Sequence, residues 1–312
     1  GSHPFRIQRW FIVLKGQHVE FSPMLKAPSS TYIEKKVYTF TNLIALDHTK
    51  DAILMKLVLA FLSFLMGISA FAQTANEYYQ PLKYRLIGPF RGGRSVASTG
   101  VVGDPLTYYM STTGGGLWKT TDAGQHWTNI SDGFFETGSM GAIAVSESHP
   151  YILYAGMGEH APRGVMTSYG DGVYKSVDEG KTWKKMGLEA TQHIARIAIH
   201  PTNPDIVYVA AQGALHAPNK ERGIYKSTDG GASWTQILYV NDSTGCSELS
   251  MDMNRPDILY AGMWQHQRTP WKVISGGAGS GIYKSIDGGK NWKKIEKGLP
   301  KEKGKTAISV SR

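Results

Sequence analysis

The 312-residue sequence contains a single cysteine, Cys246. One thiol cannot form an internal disulfide, so no disulfide framework holds this fold, and the residue is expected to be small and buried. Charged residues make up only 19% of the chain, and none of them form a basic run or a recognisable nucleic-acid motif. Nucleic acid is therefore set aside as a partner. The formal net charge of +9 does not change this, because it divides into +4 over residues 1–72 and +5 over residues 73–312. Lys119, Lys175, Lys226 and Lys284 recur once per repeat, which reads as a solvated strand face rather than a patch. The sequence has no H-E-x-x-H, and His193 and His200, seven apart, are not a metal pair. Gly114-Gly115-Gly116 and Gly276-Gly277 lack the strand–helix context of a phosphate loop. Neither a metal nor a cofactor is expected.

Only one long apolar run is present, residues 57–72 (LVLAFLSFLMGISAFA), which follows Met55-Lys56 and ends in Ala70-Phe71-Ala72. It falls short of the roughly 20 apolar residues of a membrane span and has the Lys-bearing start and A-x-A end of a secretory signal. We expect residues 55–72 to be a signal peptide, residues 1–54 to lie outside the mature protein, and residues 73–83 to be a linker. Export without structural disulfides points to a bacterial periplasm, cell surface or exterior.

What the sequence does contain is glycine, 36 residues of it, and aromatics at 11%. Much of both sits in a repeat. Residues 116–127 (GLWKTTDAGQHW), 172–183 (GVYKSVDEGKTW), 223–234 (GIYKSTDGGASW) and 281–292 (GIYKSIDGGKNW) share one pattern. Upstream of each lies a second signature: Asp104-Pro105 to Tyr108, His149-Pro150 to Tyr154, Asn203-Pro204 to Tyr208 and Arg255-Pro256 to Tyr260. One repeat thus reads as strand, Pro turn, strand, variable loop, strand, Asp turn, strand. Four short antiparallel strands per unit of about fifty residues describe a propeller blade. The expected fold is an all-β propeller with blades near 84–130, 139–186, 193–238 and 246–297, and a fifth beginning at 305. It would form part of a larger propeller whose remaining blades are its partner.

In each Asp turn the carboxylate suits backbone N–H groups of its own loop, the following Gly takes a positive φ, and the Trp anchors the return strand. Asp122, Asp178, Asp229 and Asp287 are thus read as structural. The chemistry is expected in the loops between second and third strands, which vary in length and share one face: residues 158–171 (GEHAPRGVMTSYGD), 212–222 (QGALHAPNKER) and 264–280 (WQHQRTPWKVISGGAGS). Glu159, Asp171, Glu221 and Glu248 are the candidate catalytic carboxylates. His160, Arg163, Tyr169, His216, Arg222, His266 and Arg268 are candidate ligand contacts, with Trp264 and Trp271 as stacking platforms for a sugar or an apolar side chain. Arg196 and Glu248 occupy equivalent inner-strand places and are expected to pair near the axis. His193 and Arg94 align higher, near the mouth. Arg91 and Arg94, in the entry motif Gly88-Pro89-Phe90-Arg91-Gly92-Gly93-Arg94, suit a carboxylate or phosphate.

The S/T-x-D-x-G-x-x-W turns, four in register, resemble the Asp-box or BNR repeat. With the Pro-Asp-Ile-x-Tyr strands and Met157-Gly158-Glu159-His160-Ala161-Pro162-Arg163-Gly164, residues 84–312 resemble bacterial BNR-repeat glycosyl hydrolases. They are also similar to the sortilin propeller and to xyloglucanase-like propellers. The resemblance implies an exported protein recognising a glycan or a polypeptide, either as a glycoside hydrolase or as a non-catalytic binding propeller. In xyloglucanase-like enzymes it also implies an acid before the paired glycines of the first blade, where this sequence has Thr113. In sialidases it implies an Arg cluster, of which Arg91 alone would be the first member.

Overall fold

The structure is a computed structural model that describes residues 53, 55–63, 93–160 and 167–311. The chain divides into two compact units, residues 1–85 and 86–312. In the first, residues 55–63 are helical with exposed apolar side chains. Residues 64–72 of the expected signal lie outside the described residues. Among the described residues no helix is long and apolar enough to cross a membrane.

The second unit is four antiparallel sheets in series. The first holds β1 (Ser95–Val101), β2 (Asp104–Thr112), β3 (Leu117–Thr120) and β4 (Thr128–Asn129). The second holds β5 (Met140–Val145), β6 (Leu153–Met157), β7 (Val173–Ser176) and β8 (Lys184–Lys185). The third holds β9 (Ile194–Ile199), β10 (Val207–Ala211), β11 (Gly223–Ser227) and β12 (Thr235–Leu238). The fourth holds β13 (Thr244–Met251), β14 (Leu259–Arg268), β16 (Gly281–Ser285) and β17 (Lys293–Ile295), with β15 (Val273–Ser275) paired to the extended end of β14. Each strand pairs with its sequence neighbour, so each repeat forms one sheet, and the sheets are the blades of a partial propeller.

The apolar faces meet between blades, not within them. Tyr109, Leu117, Met140, Ile143, Leu153, Met157 and Tyr174 form the core between the first two. Ile194, Ile199, Val207 and Val209 pack with Tyr154 and Val173 between the next two, and Ile224, Cys246, Leu249, Leu259 and Met263 between the last two. Because a blade in the series is covered on both faces, β6 (LYAGM) and β10 (VYVAA) are buried at every position and do not alternate. Cys246 lies in this core, where burial pushes its thiol pKa up. The first strands face inward: β1, β5 and β9 together line a cavity of about 330 Å³, through Ser95–Ser98, Ala142, Ile143, Arg196 and Ile197.

The Asp turns join third and fourth strands. In the second blade Oδ1 of Asp178 accepts from Thr182 N at 2.9 Å, Oδ2 accepts from Thr182 Oγ1 at 2.6 Å, and Ser176 Oγ donates to Oδ1 at 2.7 Å. In the third blade, hydrogen bonds from Ser233 and Ser227 hold the Asp229 carboxyl at about 2. These carboxylates are consumed by their own turns. The Trp of the turn ties blades together: Trp183 Nε1 donates to Ile130 O at 2.9 Å and Trp234 Nε1 to Met186 O at 2.7 Å, each in the preceding blade.

Two expectations need correction. The strand tyrosine of the first blade is Tyr109, not Tyr108. Tyr109 pairs with Lys119 as Tyr154, Tyr208 and Tyr260 pair with Lys175, Lys226 and Lys284, and it is buried while Tyr108 is exposed. The Pro105-to-Tyr109 interval then equals that of the other repeats. The recurring lysines do not form a solvated strand face: Lys119, Lys175, Lys226 and Lys284 each lie over the strand tyrosine of their own blade. Residues 306–311, expected to open a fifth blade, lie against the fourth, with Thr306 and Ile308 beside Gly262 as Ile194 and Ile197 of the third blade lie beside Gly156 of the second. They are held by Val310 N donating to Ser250 Oγ at 3.1 Å.

Candidate functional site

Strand direction assigns the loops to two ends. At one end each Asp turn meets the Pro turn of its own blade: Glu179 N donates to Tyr151 O, Gly230 N to Asp205 O and Gly288 N to Asp257 O. At the other, the second-to-third-strand loops meet the connections between blades. Gly158 N donates to Ser139 O, Gly170 N to Gln192 O, Gln212 N to His193 O and His266 N to Ser243 O. This loop-rich end is the candidate site. Gly158 (φ +90°) is needed there, because a Cβ on it would meet Gln192 O.

The four candidate carboxylates all have partners. Glu159 is buried in an ion pair with Arg94 of the first-blade entry. Asp171 accepts from Thr137 Oγ1 at 2.9 Å, from Tyr174 OH at 2.6 Å and from Lys185 Nζ at 2.9 Å. Burial pushes the Asp171 pKa up, but those three donors outweigh it and leave it below the usual carboxylate range. Tyr174 is pushed to about 12 by burial and by the same bond. Glu221 accepts from Asn219 Nδ2 at 3.1 Å. Glu248 and Arg196 form the axial pair, Nε to Oε1 at 2.7 Å and Nη2 to Oε2 at 3.3 Å. Thr113, where the resemblance would place an acid, bridges to Ser139 and donates its N–H to Arg94 O at 3.0 Å.

The candidate contacts separate by depth. Arg222 is 0% exposed. Its guanidinium donates to Asn219 Oδ1 at 3.0 Å and to the carbonyls of Ala214, Ala217, Ser243 and His266. Burial lowers it to about 10, so it stays charged at neutral pH. It organises loop 212–222 against the fourth blade instead of facing a ligand. His266 and Trp264 are buried together, their rings stacked 4.4 Å apart at 17°, so the Trp264 face is already occupied. His160, His193 and His266 are all buried, and burial lowers them to about 3, 4 and 3 respectively, with Lys305, His216 and Arg222 as the next causes in that order. They are neutral at pH 7.

Other candidates face outward. Tyr169 is 66% exposed and Trp271 84%. Trp271 stands at the tip of the β14–β15 hairpin, closed by Thr269 N to Lys272 O at 2.8 Å. Beside the turn, β14 is fastened to the third-blade loop by Arg268 N to Leu215 O and Gln267 Nε2 to His216 O. His216 is exposed, with Nδ1 3.3 Å from Arg268 O. Arg91 and Arg163 lie outside the described residues. The sequence reading missed Lys305, whose Nζ donates to His160 O at 3.2 Å and lies 5.5 Å above the Trp264 ring. Its signal was available: it precedes an apolar segment as His193 precedes β9.

Residues 171–307 match the family described as Sortilin, neurotensin receptor 3. A xyloglucanase of Hypocrea jecorina is 26% identical over 162 residues, 47% of this chain and 18% of the relative. A xyloglucanase of Paenibacillus sp is 22% identical over 256 residues, 72% of this chain and 23% of the relative. The solved GH74 xyloglucanase from Xanthomonas campestris superposes with a TM-score of 0.50 at 18% identity, covering 70% of this chain and 32% of that one. The chain is a β-propeller similar to sortilin and the xyloglucanases. This glycoside-hydrolase-like propeller spans about a fifth of the length of the two curated xyloglucanases.

Proposed function

We propose that this propeller is exported and recognises a polysaccharide at its loop-rich face. The observation that carries the reading is Trp271, an exposed aromatic ring on a hairpin closed at its tip and fastened through β14 to the third-blade loop. A flat apolar face held rigid in water suits the apolar face of a sugar ring. The likeness to xyloglucanases supports a glycan, and the apolar run at residues 57–72 supports export.

Binding is favoured over hydrolysis by these blades. Glycoside hydrolysis uses two carboxyls about 5–9.5 Å apart, one of them protonated before attack. Glu159 and Glu248 are ion-paired acceptors, and Asp171 is held ionised by three donors. A polypeptide ligand is the second reading, favoured by the sortilin match over residues 171–307.

The test is a panel of plant and bacterial polysaccharides, scored for binding by affinity electrophoresis and for new reducing ends, with Glu159→Gln as control. Binding without new ends is the expected result. New ends abolished by Glu159→Gln would overturn the binding-only reading and make the second-blade acid catalytic. No binding to any polysaccharide would transfer the proposal to a polypeptide ligand.

A further inference from the structure

The mouth end of the channel carries its charges in two layers. Glu159 and Glu248 lie beneath, with side chains 1% and 12% exposed, while their partners Arg94 and Arg196 reach outward at 45% and 39%. Lys305 joins them from the segment laid along the fourth blade and is also exposed. The accessible layer is therefore cationic although the cluster as a whole is nearly balanced, and an approaching ligand meets the outer charges first.

Two of these cations keep donors in hand. Arg196 commits Nε and Nη2 to Glu248, leaving Nη1 without a partner among the described residues. Lys305 commits one N–H to His160 O, and its ammonium is steadied over Trp264. The two are neighbours, since Gly262 touches both Glu248, the partner of Arg196, and Thr306, next to Lys305. Desolvation and then the Arg196 charge lower the Lys305 pKa, against the opposing pull of Glu248. His160, behind both, is buried and neutral, with Nδ1 unpartnered among the described residues, so it offers no competing charge. Below them the inner strands leave the cavity of about 330 Å³ whose wall includes Arg196.

We infer that Arg196 and Lys305 form an anion site at the mouth of the channel that holds a carboxylate of an acidic polysaccharide. The inference rests on the polysaccharide reading above and narrows it to glycans bearing uronic acids. A carboxylate between the two cations would satisfy the spare donors and remove their mutual repulsion. Trp271 would supply affinity for the sugar ring, and the axial cations would supply the choice of charge.

The probe is polygalacturonate, compared with its fully methyl-esterified form, which keeps the backbone and loses the charge. Binding to the whole chain is followed by tryptophan fluorescence, since Trp264 lies under Lys305. We expect the acid to bind at least tenfold more tightly than the ester, with the preference shrinking as salt rises. Lys305→Met should abolish the preference, Lys305→Arg should retain most of it, and Lys301→Met, in the preceding connector, should leave it intact. Arg196→Gln strips Glu248 of its partner, so it is read only where its thermal unfolding matches the parent chain.

Equal binding of acid and ester would overturn the anion site and leave the polysaccharide reading standing. A preference that survives Lys305→Met would overturn it as well. Binding of neither would overturn both readings. Polyglutamate binding with the same Lys305 dependence, where polygalacturonate does not bind, would assign the site to a polypeptide.

Discussion

The hydroxyl of Tyr208 donates to the carbonyl of Gly288, 3.1 Å away in the following blade, and Nζ of Lys226 donates to the same oxygen at 2.8 Å. The ammonium also lies 5.1 Å above the Tyr208 ring. The preceding interface repeats the device: Tyr154 OH and Lys175 Nζ both reach Gly230 O, at 3.0 and 3.1 Å. In the first blade Lys119 instead meets the Glu179 side chain at 2.9 Å. The Tyr and Lys of the second and third blades, and the Lys of the first, thus read the residue after the aspartate in the next one. Tyr208→Phe should destabilise the fold by about 1 kcal/mol, the net worth of one hydrogen bond, with little change in shape. Chemical denaturation of the parent and the variant checks this, and an unchanged midpoint would deny the hydroxyl its role.

Arg222→Met should be far more costly. It would leave the carbonyls of Ala214 and Ala217 without their buried donor, while Ser243 O would keep only His266 N. Each such orphan costs about 1–3 kcal/mol, so the loss should reach roughly 3 kcal/mol or more. Hydrogen exchange should show the damage first at residues 212–222, and Asn219→Ala, which removes a single acceptor of the guanidinium, should be milder.

Acid should loosen the loop-rich end. His160, His193 and His266 sit at about 3, 4 and 3, against about 6.5 in the unfolded chain. Between these values the unfolded chain binds protons that the folded one refuses. Stability is therefore complete above about pH 6.5 and falls as pH drops towards 4, by up to roughly 1.4 kcal/mol per pH unit for each histidine. Unfolding midpoints measured from pH 7.5 to 4.5 should follow this slope, and His193→Gln should flatten it.

Ala123 holds a left-handed φ of 58° in the place occupied by Gly230 and Gly288 in the third and fourth blades. Ala123→Gly should stabilise the first blade by up to about 1 kcal/mol, because relief of the left-handed strain exceeds the added chain entropy. A lower melting temperature for this variant would mean that entropy wins.

Trp271→Ala should leave thermal stability unchanged, since the ring is solvent-exposed, while lowering polysaccharide affinity on the loop-rich face. A loss of both would mean that the ring supports the hairpin rather than a ligand.

The sequence alone was enough for the blade. Gly, Pro and the S/T-x-D-x-G-x-x-W turns are local instructions, because each turn satisfies its aspartate within a few residues, as Asp178 does with Thr182 and Ser176. Recurrence of four such turns, 51 to 58 residues apart, made the sheet order legible, and inner-strand register was enough to pair Arg196 with Glu248. Depth at the mouth was not legible. Arg222, Trp264 and His266 stand in a polar, variable loop region that reads as exposed, yet the neighbouring blade closes over them. Trp271, a few residues along the same loop, is carried outward by β15. A repeat pattern describes what a blade does to itself. Which side chains remain in water depends on how the next blade lies against it, and that contact is made by residues about fifty positions away.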